Sequence, residues 1–124
     1  MIEKATKKNY FPFVVVDNLS GKIISSIQVK SVDWNIPKAE LGYYIDSDYE
    51  GKGIVTKATG HIIDYCFKEL KMAKLYIRTH EINVPSRLVA EKNGFILEGV
   101  IRKDYKTTKG ELVDLMYYGL IKKG

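Results

Sequence analysis

Tyr44-Ile45-Asp46-Ser47-Asp48-Tyr49-Glu50-Gly51-Lys52-Gly53-Ile54-Val55-Thr56-Lys57-Ala58 is the stretch on which the reading of this chain turns. Apolar and aromatic residues run from Leu41 to Ile45, and Asp46, Ser47 and Asp48 break the run. Two glycines then flank Lys52, and a long amphipathic segment follows. This pattern predicts a strand, a short turn, a Gly-x-Gly loop and the first turns of a helix. The first backbone N–H groups of a helix have no internal partner, and the helix dipole adds partial positive charge there. A glycine loop feeding such a start can therefore hold an anion, and glycine lets the backbone come close to it. Lys52 would add a full positive charge. The loop has neither the Walker spacing nor the dinucleotide fingerprint. A lone Gly-x-Gly also reads as a plain helix start after a flexible turn.

Working backwards, Phe11 to Val16 is a β-rich run, and Asp17-Asn18-Leu19-Ser20-Gly21-Lys22 is turn chemistry. Ile23 to Val32 alternates, with Ile23, Ser25, Ile27, Val29 and Ser31 on one face, as in a half-buried strand. Asp33 to Lys38 contains Pro37 and makes the next turn; Ala39 to Asp46 is the third strand. Three strands joined by short turns suggest an antiparallel meander.

Working forwards, Val55, Ala58, Ile62, Cys66 and Leu70 follow helical spacing, with Thr59, Ile63 and Phe67 beside them. Gly60 within this helix costs roughly 1 kcal/mol against alanine, which points to close packing against the sheet. Ala73 to Thr79 alternates as a strand. Strand, helix and strand in this order suggest a parallel crossover. Asn83 is a helix N-cap with Pro85 in the first turn, and Asn93-Gly94 ends that second helix. Phe95 to Arg102 and Leu112 to Ile121 are the last two strands, joined by a loop or hairpin through Gly110. The expected fold is a mixed α/β (α+β) sheet in a single domain, residues 1–124.

Composition narrows the function. With 124 residues and 45% hydrophobic content, the chain is too apolar to be disordered. Twenty basic against fifteen acidic residues give +5, a mild preference for an anionic partner. No block of like charge and no interleaving of aromatics with lysines marks a nucleic-acid face, so no nucleic acid is expected. The single cysteine, Cys66, rules out an internal disulfide and sits among Ile62, Ile63 and Phe67 as a core residue. No apolar window is long enough to span a membrane, and the first eight residues have no signal-peptide core, so the expected location is the cytoplasm. His61 and His80 do not form a metal pair, no Cys/His cluster exists and no metal is expected. The Gly-x-Ser-x-Gly elbow of a hydrolase is missing.

Three segments together resemble the GNAT-type N-acetyltransferases, which use acetyl-coenzyme A. Glu50-Gly51-Lys52-Gly53-Ile54-Val55 resembles the family's pyrophosphate loop, Gln/Arg-x-x-Gly-x-Gly/Ala. Asn83-Val84-Pro85-Ser86-Arg87-Leu88-Val89-Ala90-Glu91-Lys92-Asn93-Gly94-Phe95 resembles the Asn-x-x-Ser…Glu-Lys-x-Gly-Phe segment of the branch acting on ribosomal-protein N-termini (alanine or serine) and related amines. Glu98-Gly99-Val100-Ile101-Arg102, with Gly110 and Asp114 after it, is similar to the same branch. Glu50 stands at the usual Gln/Arg position and Val55 at the usual Gly/Ala position. Relative to the family, the N-terminal strand and helices that precede the meander are missing, and they form one wall of the acceptor groove.

The resemblance implies a mostly antiparallel sheet with a splayed central parallel pair and helices on both faces. It implies direct acetyl transfer to a primary amine, either a protein N-terminus or a small molecule such as a polyamine. Pantetheine would lie in the splay against backbone groups of Ile45, and Lys52, Gly53, Ile54, Val55 and Thr56 would hold the pyrophosphate. Asn83 would bond the pantetheine or serve only as an N-cap. Ser86 would protonate the leaving thiolate or bond the helix backbone, and Tyr105 is the rival acid. Glu40 is the candidate base if it faces the acceptor. Lys92 would reach the adenosine phosphates or lie in solvent. The alternative is a coenzyme A-binding module of the same fold with little turnover. A homodimer could rebuild the missing wall.

Overall fold

A computed structural model describes residues 9–45 and 53–123. The elements are β1 (Phe11–Val16), β2 (Ile23–Asp33), β3 (Lys38–Ile45), α1 (Ile54–Lys68), β4 (Lys74–His80), α2 (Val84–Lys92), β5 (Ile96–Lys106) and β6 (Leu112–Ile121). They form one six-stranded sheet in the order β1-β2-β3-β4-β6-β5. β1, β2 and β3 are an antiparallel meander, as the alternation predicts. β4 joins β3 in parallel after the α1 crossover, and the remaining pairings are antiparallel.

The core lies on one face of the sheet. Val29, Ala39, Leu41, Leu75, Ile77 and Tyr118 point to that side and are buried with Ile63 and Cys66 of α1 and Ala90 of α2. Both helices cover this face. The Phe13 ring meets Tyr65 of α1 edge-on, and the Tyr43 hydroxyl donates to the Ser86 carbonyl of α2. Phe13, Ile27 and Tyr43 lie across the meander in one register row. The expectation of helices on both faces is therefore corrected for the described residues. Lys38, Glu40, Lys74, Tyr76 and Arg78, the alternate residues of β3 and β4, stand on the opposite face, where no described helix covers them.

The two helices are tied together by a side chain. Asn93 Nδ2 donates to the Thr56 carbonyl in the first turn of α1 (3.1 Å) and to the Val89 carbonyl (2.9 Å). A Cβ on Gly60 would lie 3.2 Å from Asn93 Oδ1. Gly60 thus marks close approach to α2, not to the sheet. Gly94 follows with φ 85°, the left-handed turn expected at the end of α2.

Cys66 is fully buried among these side chains, and burial pushes its thiol from 9.0 up to about 12. Below pH 9 the thiol is neutral in both folded and unfolded chains. Between pH 9 and 12 only the unfolded chain ionises, so stability falls as pH rises through that window. Melting temperatures of the wild type should drop across it more steeply than those of Cys66→Ala. Equal slopes would show that the thiol is not held neutral by the core.

Candidate active site in a strand splay

β3 and β4 pair only at Lys38–Lys74, Ala39–Leu75 and Glu40–Tyr76. Both strands continue, β3 to Ile45 and β4 to His80. Beyond Glu40 the β3 edge facing β4 has no ladder partner, while its other edge stays paired to β2 as far as Ile45 opposite Ser25. The strands have parted, at the place where the family resemblance puts the splay. A cavity of about 210 Å³ fills the gap, walled by Leu41, Gly42, Tyr43, Ile77, Asn83 and Ser86 among others.

On the helix-covered side, Asn83 caps α2, its side-chain oxygen accepting from the Ser86 amide at 3.3 Å. The cap holds Ser86 at the gap, where it is buried. Its hydroxyl donates to the Tyr43 hydroxyl (3.2 Å), and the Tyr43 hydroxyl donates to the Ser86 carbonyl (2.7 Å). Burial raises the Tyr43 phenol from 10.0 to about 12, partly offset by its bond to Ser86. The pair is thus a neutral hydroxyl couple at neutral pH, able to donate a proton or a hydrogen bond to charge appearing in the gap. Tyr43 was not picked out from the sequence. Its signal was a polar-tipped ring two residues before Ile45, in phase with inward-facing Ala39 and Leu41.

On the uncovered side, Glu40 is buried with its side chain 5% exposed, and accepts from Arg78 Nε at 2.8 Å. Ser31 Oγ donates to its other oxygen at 3.4 Å. A β-bulge in β2 between Lys30 and Asp33 gives Ser31 a φ of 52° and turns it towards Glu40. The carboxylate in turn pushes the Arg78 guanidinium further up. Glu40 does face the gap, but as half of an ion pair. A second cavity of about 310 Å³ opens on this side and shares Lys30, Glu40, Arg78, Thr79 and Asn83 with the first. Tyr105 lines it, as do Asp104 and His80. A bulge in β5 between Ile101 and Tyr105, with Lys103 at φ 54°, precedes Tyr105.

Gly53 caps α1 at φ 75°, with no described atom beyond its chain neighbours within 4 Å of where a Cβ would stand. Ile54, Val55 and Thr56 supply the first-turn amides, which have no partner within the helix, and no acidic residue sits in that turn. Val55 is buried. Lys52 and Glu50 lie outside the described residues. Lys92 is exposed in the last turn of α2, at the end away from Asn83 and Ser86 and next to the Asn93 tie to Thr56. The structure therefore brings Glu40, Asn83, Ser86 and Tyr105 around two adjoining cavities and leaves Lys92 outside them.

Residues 1–96 match the acetyltransferase (GNAT) domain. The chain belongs to the GNAT acetyltransferase family. YdaF of Bacillus subtilis (strain 168), which carries the name of a ribosomal N-acetyltransferase, is 39% identical over 103 residues, 83% of this chain and 56% of that protein. The spermidine N(1)-acetyltransferase of Escherichia coli (strain K12) is 32% identical over 68 residues, 55% of this chain and 37% of that one. A crystal structure of the ribosomal-protein-S5-alanine acetyltransferase of Vibrio fischeri superposes with a TM-score of 0.87 at 29% identity, over 97% of this chain and 64% of that one. The chain thus spans little more than half the length of YdaF. The Vibrio fischeri structure shares the fold over nearly the whole of this chain. Among the described residues no helix is long and apolar enough to cross a membrane.

The residues present fit acetyl-coenzyme A: a strand edge without a ladder partner among the described residues for the pantetheine amides, first-turn helix amides for the pyrophosphate, and hydroxyls at the gap. Tyr43→Phe should remove a second hydrogen bond to the Ser86 carbonyl, which keeps its helical partner, and cost about 0.5–1.5 kcal/mol. Denaturant unfolding would measure it, and an unchanged midpoint would show that the couple does not hold α2 to the sheet.

Proposed function

We propose that this chain is an acetyl-coenzyme A-dependent N-acetyltransferase that passes acetyl directly to a primary amine, on a protein N-terminus or a small molecule. The observation that carries the reading is the early end of the β3–β4 ladder, which opens a cavity beside Asn83 and Ser86. Bound acetyl-coenzyme A supplies the activated acetyl thioester. Ile45 offers backbone groups to the pantetheine. Lys52, Gly53, Ile54, Val55 and Thr56 hold the pyrophosphate, with Lys92 on the adenosine side. Asn83 orients the thioester while capping α2. Ser86, set by Tyr43, protonates the departing sulfur. Tyr105 stands on the acceptor side, where its phenol can bond the incoming substrate.

Relatives named for ribosomal-protein and spermidine acetylation support an amine acceptor. The Glu40–Arg78 ion pair favours a second reading, because both oxygens of the candidate base are already engaged by Arg78 and Ser31. On that reading the chain binds coenzyme A with little turnover.

Calorimetry with acetyl-coenzyme A, followed by thiol release with serine- and alanine-initiated peptides and with spermidine, separates the two. Micromolar binding, weakened at least tenfold in Gly53→Glu, is expected, together with turnover of at least one amine. Ser86→Ala should lower kcat roughly 10²-fold and leave acetyl-coenzyme A affinity within about twofold. Binding without turnover of any amine would favour the second reading. Absence of binding by the folded chain would overturn both.

A further inference from the structure

The acceptor-side cavity holds few groups that can take a proton. Lys30 from β2 and Arg78 from β4 are cations, Glu40 from β3 is bonded to Arg78 and Ser31, and Leu115 from β6 is apolar. Asn83 before α2 accepts from the Ser86 amide. Asp104 from β5 is exposed and accepts weakly from the Tyr117 hydroxyl at 3.5 Å, and Tyr105 beside it is a phenol. Thr79 adds a hydroxyl, and His80, the last residue of β4, is half-buried and lines the cavity beside it. Among the described residues its Nδ1 is buried without a hydrogen-bond partner. Nε2 is then the ring nitrogen left to meet the cavity that His80 lines.

His80 also stands on the right side of the gap. Residues 74, 76, 78 and 80 of β4 share the uncovered face, and His80 pairs with Leu115 without a break in register. Ser86 and Tyr43 reach the same gap from the helix-covered face. A proton donor and a proton acceptor thus flank the splay from opposite faces of the sheet.

We propose that His80 is the general base that takes the proton of the attacking amine, an inference that rests on the acetyltransferase reading above. The amine nitrogen bonds to the acetyl carbon and the carbon–sulfur bond breaks. The proton lost by nitrogen goes to His80 Nε2, and the thiolate takes one from the Ser86–Tyr43 couple. His80 then releases its proton to solvent and the couple regains one, so the products are an amide and coenzyme A thiol. Glu40 acts here as the group that keeps Arg78 in place.

The test uses the full chain, acetyl-coenzyme A and whichever peptide or polyamine the amine screen shows to be turned over. His80→Gln should lower kcat about 10²-fold or more, with acetyl-coenzyme A affinity and melting temperature nearly unchanged. Its pH profile should keep only the limb set by the acceptor amine. His80→Ala should regain rate on addition of imidazole, which a merely structural role would not produce. Full activity in His80→Gln, or an unchanged acid limb, would overturn the assignment while leaving the acetyltransferase reading intact. A wild type that binds acetyl-coenzyme A but turns over no amine would overturn both.

Discussion

The parallel pairing of β3 with β4 lasts for three residue pairs and then stops. Everything about the site depends on that early stop. A parallel ladder normally uses the backbone groups on both facing edges, because buried N–H and C=O groups need partners. Past Glu40 and Tyr76 those groups are left to whatever enters the gap. The sheet can tolerate this because each strand is held on its far edge, β3 by β2 as far as Ile45 and β4 by β6 as far as His80. The opening thus lies between two well-paired half-sheets.

The Glu40–Arg78 pair sits where the strands part. A buried carboxylate is costly unless it is paired and hydrogen-bonded. Glu40 meets that condition from two strands, with Arg78 on β4 and the bulge residue Ser31 on β2. The pair bridges β3 and β4 by side chains next to their last backbone pair. Above the gap on the other face, Asn83, Ser86 and Tyr43 do the corresponding work for α2. Two polar clusters, one per face, fix the width of the opening.

Much of the fold was legible in the sequence because it rests on local signals. The eight elements, the meander, the crossover and the ends of α2 follow from alternation, helical period, Asn83 and Gly94. The helix start after Gly53 and the Asn83 cap of α2 were legible from their local signals. Other features were not, because they depend on which residue meets which across the chain. Glu40 alternates like any outward strand residue, and nothing local reveals that Arg78, 38 positions later, closes on it. Gly60 announces a close approach but not its partner, which is Asn93. The placement of both helices on one face is likewise a tertiary fact. Tyr43 needed the position of Ser86, and His80 needed the cavity.

Bulges explain why the rim of the site escapes pattern reading. Strict alternation assigns each strand residue to a face, and an extra residue breaks that assignment. The β2 bulge puts Ser31 in a left-handed conformation and brings its hydroxyl to Glu40. The β5 bulge does the same to Lys103, whose amide donates to the Asp114 carboxylate, and Asp104 and Tyr105 after it line the second cavity. Neither Ser nor Lys adopts such a φ cheaply. The cost is met by hydrogen bonds made at the bulge itself, and both bulges lie beside the cavity. The regular parts of the strands set the spacing of the sheet, and the irregular parts aim side chains at the gap. Sequence periodicity reports the first well and cannot see the second.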